Sequence, residues 1–327
     1  MVIVLFTRIL GTGGYLPTQV RTNADLEQMV ETSDTWIVER TGIHERRIAS
    51  AQETAAYMGT CAAKQALEAA GLEPSSIDAV ICATTSGANA FPSAACEIAL
   101  ALGIGAPIAF DVAAACAGFS YAYSIAHNMI MCGQAKNVLI VGVDSLSHAC
   151  ANDNRTTIIL FGDGAGACVL GASDEPGTLA IKLSSDPTRG DLLKLPVPKR
   201  TQDLAPGETN DGAYLYMKGN DVFKHAVTIL ASLVKDTLQE AGMSEDQLDF
   251  LVPHQANLRI ITATARKLKL DMSQVIVTLD KQGNTSAASV PLALDEGIRQ
   301  GRIQRGHNLL LESFGGGFVW GAALVRY

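Results

Sequence analysis

The sequence predicts an α/β fold made from two copies of one unit. Three observations carry this reading: a repeat within the chain, a regular alternation of strand-like and helix-like segments, and a composition suited to a large core. Residues 67–83 (LEAAGLEPSSIDAVICA) and 238–254 (LQEAGMSEDQLDFLVPH) match at Leu67/Leu238, Ala70/Ala241, Gly71/Gly242 and Asp78/Asp249, each pair 171 apart. Asn137-Val-Leu-Ile and Asn308-Leu-Leu-Leu keep that spacing, and after a gap Phe161-Gly-Asp-Gly-Ala resembles Phe314-Gly-Gly-Gly-Phe. Repetition at a fixed spacing marks a duplicated unit, here of about 170 residues. Two halves are therefore expected, 1–173 and 174–327, packed back to back. With 48% hydrophobic and 18% charged residues, the 327-residue chain fits a compact enzyme and not a disordered or fibrous protein.

The elements follow in order within each copy. A helix (about 53–70, and 221–241) ends at a glycine, the residue that best takes the left-handed cap. An apolar strand comes next, Asp78-Ala-Val-Ile-Cys82 or Asp249-Phe-Leu-Val252. Then come a helix (93–103, 257–268), a short strand (107–112, 274–279) and a helix (117–132, 286–300). Apolar strands near 137–142 and 165–170, or 308–312 and 319–326, close each copy. Strands alternating with helices of this length imply mostly covered sheets. The stretch 189–217, with Pro196, Pro198 and Pro206, reads as a loop.

Charge and cysteine usage narrow the class. Lys+Arg 25 against Asp+Glu 33 gives 25 − 33 = −8, which argues against broad nucleic-acid binding. The uncharged run 112–135 is long enough to span a bilayer, but it holds Ser120, Tyr121, Tyr123, Ser124, His127, Asn128 and Gln134. A helix buried in the middle of the protein is the better reading, with no membrane insertion. The start, Met1–Phe6, lacks a basic segment and soon meets Arg8, unlike a signal peptide. Seven cysteines without a CxxC pair point to a reducing cytoplasm and to neither a disulfide scaffold nor a zinc site.

The duplication also points to chemistry, because function is expected where matching positions differ. At the 171 spacing His254 matches Ala83, at the C-terminal end of a strand. Aligning Gly133 with Gly301 gives a spacing of 168, on which Cys116 matches Asn284. Both would then sit at strand-to-helix corners near the central axis, with His254 on a neighbouring strand end. Strand ends are where α/β sheets place their sites. Cysteine, histidine and asparagine converging there form a nucleophilic constellation. Cys116 follows a strand and opens an uncharged helix, whose dipole is expected to lower the thiol pKa. Small residues at 113–115, 117 and 118 leave room for a substrate carbonyl. The other six cysteines and five histidines lack such settings. Gly162–Gly166 and Gly315–Gly317 have neither P-loop nor GxGxxG spacing; the second could offer backbone N–H groups to an oxyanion.

From Ile9 to Tyr327 the sequence resembles the β-ketoacyl-acyl-carrier-protein synthase III family of the thiolase-like superfamily. The resemblance rests on Gly11-Thr-Gly-Gly-Tyr-Leu-Pro17, Asp34-Thr-Trp-Ile37, Arg40-Thr-Gly-Ile43, Asp111–Phe119, Phe161-Gly-Asp-Gly-Ala-Gly166, Pro253–Arg259, Gly283–Ser289 and Phe314–Phe318. Elongating synthases have a second histidine at the Asn284 position, and hydroxymethylglutaryl-CoA synthases use a glutamate. Chalcone-synthase-like enzymes share Cys-His-Asn but are longer and lack the surrounding motifs. The resemblance implies a duplicated, five-layered αβαβα fold, a homodimer, and no cofactor or metal. It also implies decarboxylative condensation of acetyl-CoA, or another short acyl-CoA primer, with malonyl-acyl-carrier protein.

The resemblance further implies roles for single residues. Cys116 is the nucleophile, His254 and Asn284 stabilise an enolate, and backbone N–H groups of Cys116 and Gly316 hold the oxyanion. Trp36 and Arg155 would sandwich the CoA adenine, Arg40 would meet its phosphates, and Asn257 its pantetheine arm. Phe91, from a partner subunit, and Phe223 would bound the acyl pocket. Lys224, Arg259, Arg266 and Lys267 would receive the acidic carrier protein. The same scaffold could instead serve secondary metabolism with identical chemistry, or bind acyl-CoA without catalysis; the intact Cys-His-Asn set disfavours the latter.

Overall fold

The computed structural model describes residues 6–197 and 213–327. The first half runs β1 (Phe6–Tyr15), β2 (Gln19–Thr22), α1 (Asn23–Glu27), α2 (Asp34–Thr41), β3 (Glu45–Ile48), α3 (Ala55–Ala70), β4 (Ala79–Ala83) and α4 (Ala94–Leu102). It continues through β5 (Ile108–Val112), α5 (Gly118–Met131), β6 (Asn137–Ser145), α6 (Arg155–Ile158) and β7 (Asp163–Ser173). Then follow β8 (Thr178–Ser185), β9 (Leu193–Lys194), β10 (Tyr216–Met217), α7 (Gly219–Glu240), β11 (Phe250–Pro253) and α8 (Leu258–Lys267). The chain ends with α9 (Leu279–Gln282), α10 (Ser289–Arg299), β12 (Asn308–Gly315) and β13 (Val319–Arg326).

The repeat in the sequence is a repeat of topology. One sheet has the order β1-β7-β6-β4-β5, and the other reads β8-β13-β12-β11. Each strand of the second order is the counterpart of one in the first. Three apolar clusters sort the helices into layers. Met58 and Ala62 of α3 and Ile98 of α4 cover one face of the first sheet. Phe119 and Ile130 of α5 meet Val290 and Leu294 of α10 between the two sheets. Leu230 and Val234 of α7 and Ile261 of α8 cover the far face of the second sheet. The result is the αβαβα sandwich. The uncharged run 112–135 supplies α5, in the middle layer, and among the described residues no helix is long and apolar enough to cross a membrane.

Three details differ from the sequence reading. The strand expected at 274–279 is reduced to one parallel bridge, Leu251 to Val275, where β5 pairs fully with β4 in the first half. Gln255 is the cause: its Oε1 accepts from the N–H groups of Thr278 (2.9 Å) and Leu279 (3.2 Å), turning the chain into α9. The alignment of Cys116 with Asn284 also fails. Tight turns precede both central helices at Ala115–Ala117 and Ser286–Ala288, still 171 apart, and α10 is simply shorter than α5. The missing residues lie at the helix ends, so the counterpart of Cys116 is Ala287, and that of Asn284 is Ala113. Finally, the 189–217 stretch carries a short ladder, Leu193 with Met217 and Lys194 with Tyr216. Pro198 and Pro206 lie outside the described residues, as do Met1 to Leu5.

The central helices approach the sheets at glycines. A Cβ at Gly142 would sit 2.3 Å from the Ala287 carbonyl oxygen, and one at Gly166 would sit 2.6 Å from the Leu292 nitrogen. Both obstacles are backbone and cannot rotate away. Gly142→Ala is therefore expected to destabilise the fold by about 1–3 kcal/mol, the usual cost of overpacking. Urea unfolding should show a lower midpoint with an unchanged slope.

Candidate active site

A cavity of about 1270 Å³ opens between the turns that precede α5 and α10, and Cys116, His254 and Asn284 all line it. Each arrives from a different element. Cys116 lies in the turn between β5 and α5, where Ala115 adopts φ 43°, a left-handed conformation uncommon for a residue with a Cβ. That kink turns the chain sharply enough to present the thiol at the start of α5. The thiol is 6% exposed, and the Ser286 hydroxyl donates to its Sγ at 3.4 Å. Burial pushes the thiol up to about 11; the Ser286 hydrogen bond opposes this and the Asp144 carboxylate adds to it. The expected lowering by the helix dipole is thus overturned, because loss of hydration outweighs it.

His254 follows β11, and its N–H donates to the Glu312 carbonyl at 2.8 Å. The turn is locked by Gln255, whose Nε2 donates to the carbonyls of Pro253 (2.8 Å) and Ile276 (3.0 Å). Burial brings the His254 imidazolium down to about 4, so the ring is neutral at physiological pH. A neutral ring has one nitrogen that donates and one that accepts.

Asn284 is held by backbone on both sides. Its N–H donates to Leu160 (2.8 Å), and its carbonyl accepts from Gly162 (3.1 Å), forming a bridge beside Phe161. This is the work of the Phe161–Gly166 motif, which clamps the asparagine. The side-chain Oδ1 accepts from the Ser286 N–H at 3.0 Å. The amide is thereby oriented with Nδ2, its donor end, free for a ligand. Gly316 lines the same cavity, and a Cβ on Gly315 would come within 2.7 Å of the Cys116 nitrogen. Only glycine lets this strand lie against the nucleophile's backbone.

The remaining residues divide. Trp36, Arg40, Asn257 and Phe223 line the cavity. The Arg40 and Arg155 guanidinium carbons stand 4.9 and 4.6 Å from the Trp36 ring centre. Asn257 also caps α8 through the Arg259 N–H (2.9 Å) and donates to the Arg40 carbonyl (3.0 Å), so much of its amide is already engaged. Phe91 is 87% exposed and outside its own chain's cavity. Lys224 on α7 and Arg259, Arg266 and Lys267 on α8 are exposed, but Arg259 also covers Phe223 at 5.5 Å and lines the cavity. Among the described residues no cluster of three His, Cys, Asp or Glu could hold a metal ion.

Sequence reasoning missed Ser286, Asp144, Gln255 and Glu312. Two of them leave a trace: Asp144 and Glu312 are lone carboxylates that directly follow the apolar runs Val138–Val143 and Leu309–Leu311. Asp144 is fully buried, and its Oδ1 accepts from the Thr85 N–H (2.8 Å) and the Ser86 hydroxyl (2.9 Å). Glu312 is fully buried, its carboxyl oxygens have no hydrogen-bond partner among the described residues, and burial pushes the carboxyl up to about 8.

Residues 110–187 match the family model described as 3-oxoacyl-(acyl-carrier-protein) synthase III, and 238–327 match the model for its C-terminal part. The beta-ketoacyl-(acyl-carrier-protein) synthase III 1 of Vibrio vulnificus (strain YJ016) is 59% identical over 323 residues, covering 99% of this chain and 100% of the relative. The crystal structure of the synthase III from Aquifex aeolicus VF5 superposes with a TM-score of 0.91 at 44% identity, covering 98% of this chain and 100% of the other. The priming β-ketosynthase of the R1128 polyketide pathway gives 0.92 at 36% identity, covering 98% and 96%.

Glu312 has a checkable consequence. Its folded pKa (about 8) exceeds the ordinary 4.5, so the folded state keeps a proton that the unfolded state releases. The associated stability is complete below about pH 4.5 and is lost as pH rises through 8. Glu312→Gln should flatten this decline. Thermal midpoints at pH 6 and pH 9 should differ less in the variant than in the parent.

Proposed function

The chain belongs to the 3-oxoacyl-(acyl-carrier-protein) synthase III family, and from that premise we propose how its residues share the reaction. The enzyme is a condensing acyltransferase: it joins acetyl-CoA or another short acyl-CoA to malonyl-acyl-carrier protein, releasing CoA and carbon dioxide, the first condensation of fatty-acid synthesis. One observation carries the division of labour. Ser286 holds the Asn284 oxygen, so both Asn284 and a neutral His254 can donate hydrogen bonds into the cavity that contains Cys116.

Cys116 attacks the acyl thioester. Because burial keeps it a thiol, its proton must leave as the S–C bond forms, and the accepting nitrogen of His254 takes it. The backbone N–H groups of Cys116 and Gly316 receive the negative oxygen. CoA then departs with that proton as a thiol, leaving acyl-Cys116. Malonyl thioester binds with its carbonyl on Asn284 and on His254, whose single ring proton must by then have moved to the cavity-facing Nε2, since Nδ1 is buried without a partner among the described residues. As carbon dioxide leaves, the electron pair moves onto that carbonyl as an enolate, whose carbon attacks acyl-Cys116. The sulfur leaves as a thiolate and takes a proton from solvent. These donors supply the stabilisation, and no cofactor enters the scheme.

Substrate recognition follows the cavity. The Trp36 face with Arg40 and Arg155 suits the adenine and phosphates of CoA, and the remaining Asn257 N–H suits the pantetheine arm. The exposure of Phe91 supports a homodimer in which it closes the partner's acyl pocket. Phe223 bounds the passage from CoA to Cys116. We place the junction of the two halves after Ser173, between β7 and β8, and the enzyme in the cytoplasm, where a free nucleophilic thiol stays reduced.

Incubation with acetyl-CoA should add one acetyl group to Cys116, read by intact and peptide mass. Asn284→Ala or His254→Ala should lower malonyl-thioester decarboxylation by about 10²–10³-fold, the weight of one donor to a developing oxyanion. Asn284→Ala should retain the acetyl adduct; losing the adduct while decarboxylating normally would reverse the assignments.

The basic residues of α7 and α8 suit an acidic carrier protein. Since Arg259 also lines the cavity, Arg266→Glu with Lys267→Glu is the cleaner probe. At low salt this pair should cut kcat/KM for malonyl-acyl-carrier protein about tenfold, a modest steering effect. Acetylation by acetyl-CoA should be unaffected. The gap should narrow as salt shortens the screening length to about 8 Å.

A further inference from the structure

Ser286 is fully buried and stands at φ 52°, in the left-handed region that L-residues with a Cβ seldom occupy. Neither its neighbours nor the turn requires a hydroxyl for cohesion. The turn is already anchored by the Ala287 N–H on Asp144 Oδ2 (3.3 Å) and by the Ser289 hydroxyl, which accepts the Gln255 N–H (2.6 Å). What the unusual backbone does achieve is contact with two catalytic groups at once. The Ser286 N–H reaches Asn284 Oδ1 at 3.0 Å, and its hydroxyl reaches Cys116 Sγ at 3.4 Å.

We propose that Ser286 is a further catalytic residue: its hydroxyl donates to the Cys116 sulfur and stabilises the negative charge that develops there during attack. This rests on Cys116 being the acylated residue. The hydroxyl has one proton, and in the structure it goes to the sulfur. A sulfur carrying negative charge is the strong acceptor of the two states of Cys116, and a thioester sulfur is a weak one. The proton therefore serves Cys116 most strongly while the sulfur attacks, and less once the acyl group is in place.

Other titratable groups surround the site and must be kept constant in the test. Asp144 of β6 raises the thiol, Glu312 lies on β12, the strand packed against the Cys116 turn, and neutral His254 lines the same cavity. Arg40 lies on the cavity wall. On α5 itself His127 is tied to Thr7 at 2.8 Å. Replacing Ser286 leaves all of these in place.

Two replacements separate the hydroxyl from the strained backbone. Ser286→Ala removes the hydroxyl and keeps a Cβ at positive φ, whereas Ser286→Gly removes the hydroxyl and relieves the strain. Both retain the N–H that holds Asn284. Cys116 alkylation by iodoacetamide is followed against pH by peptide mass, together with acetylation by acetyl-CoA and thermal unfolding. In both variants the pH midpoint of Cys116 alkylation should rise by about one unit, the weight of one hydrogen bond to a charged atom. Their thermal midpoints should move apart, with Ser286→Gly the higher. Unshifted midpoints in both variants, or midpoints that follow stability instead, would overturn the role of Ser286 and leave the nucleophile intact. If acetyl-CoA instead labels a residue other than Cys116 in the parent enzyme, the nucleophile assignment fails, and this inference with it.

Discussion

Two tight turns meeting in the middle layer are the constraint on which the rest depends. Residues 115–117 and 286–288 each end a strand-side segment and open a central helix. They can meet only because the flanking sheets present glycine where the turns touch, Gly142 under Ala287 and Gly315 against Cys116. The contact removes water from the thiol. It therefore sets the problem that the surrounding groups solve: a nucleophile that resists ionisation at rest needs a neutral base and local donors at the moment of attack. His254, neutral through the same burial, answers the first need.

The sequence was most legible where the duplication repeats itself. Matching pairs such as Gly71/Gly242 and Asn137/Asn308 mark real counterparts, and the two sheets share one strand order. Cys116, His254 and Asn284 were found from their settings and do share a cavity. The spacing of 168 was still the wrong reason for pairing Cys116 with Asn284. It measured the helix ends, at Gly133 and Gly301, while the turns kept the 171 register. Position along the chain could not show which end of a helix had lost its residues.

Other errors share one physical origin: side chains acting on distant backbone. Nothing in Val275–Leu279 announces that Gln255 will take its amides, so an apolar run read as a strand became a bridge and a turn. The thiol pKa went the wrong way because a helix N-terminus is visible in sequence whereas desolvation is not. Ser286 was hidden by appearing in a run of small residues, where only its φ and its two contacts distinguish it.

The missing strand beside β11 also leaves the two sheets with unlike edges. β5 is an outer strand of the first sheet, with its far edge unpaired among the described residues. In the second sheet, Gln255 bends the corresponding segment away after Val275. The opposite edge of the first sheet is occupied, since Arg305 holds the carbonyls of Ile9 and Leu10, and Thr7 meets Thr178 at 2.6 Å. Pairing between like edges at β5 is self-complementary and consumes the edge on both copies. A contact of that kind would close on itself, and the asymmetry that Gln255 introduces leaves the described residues with one such outer strand where the duplication alone would supply two.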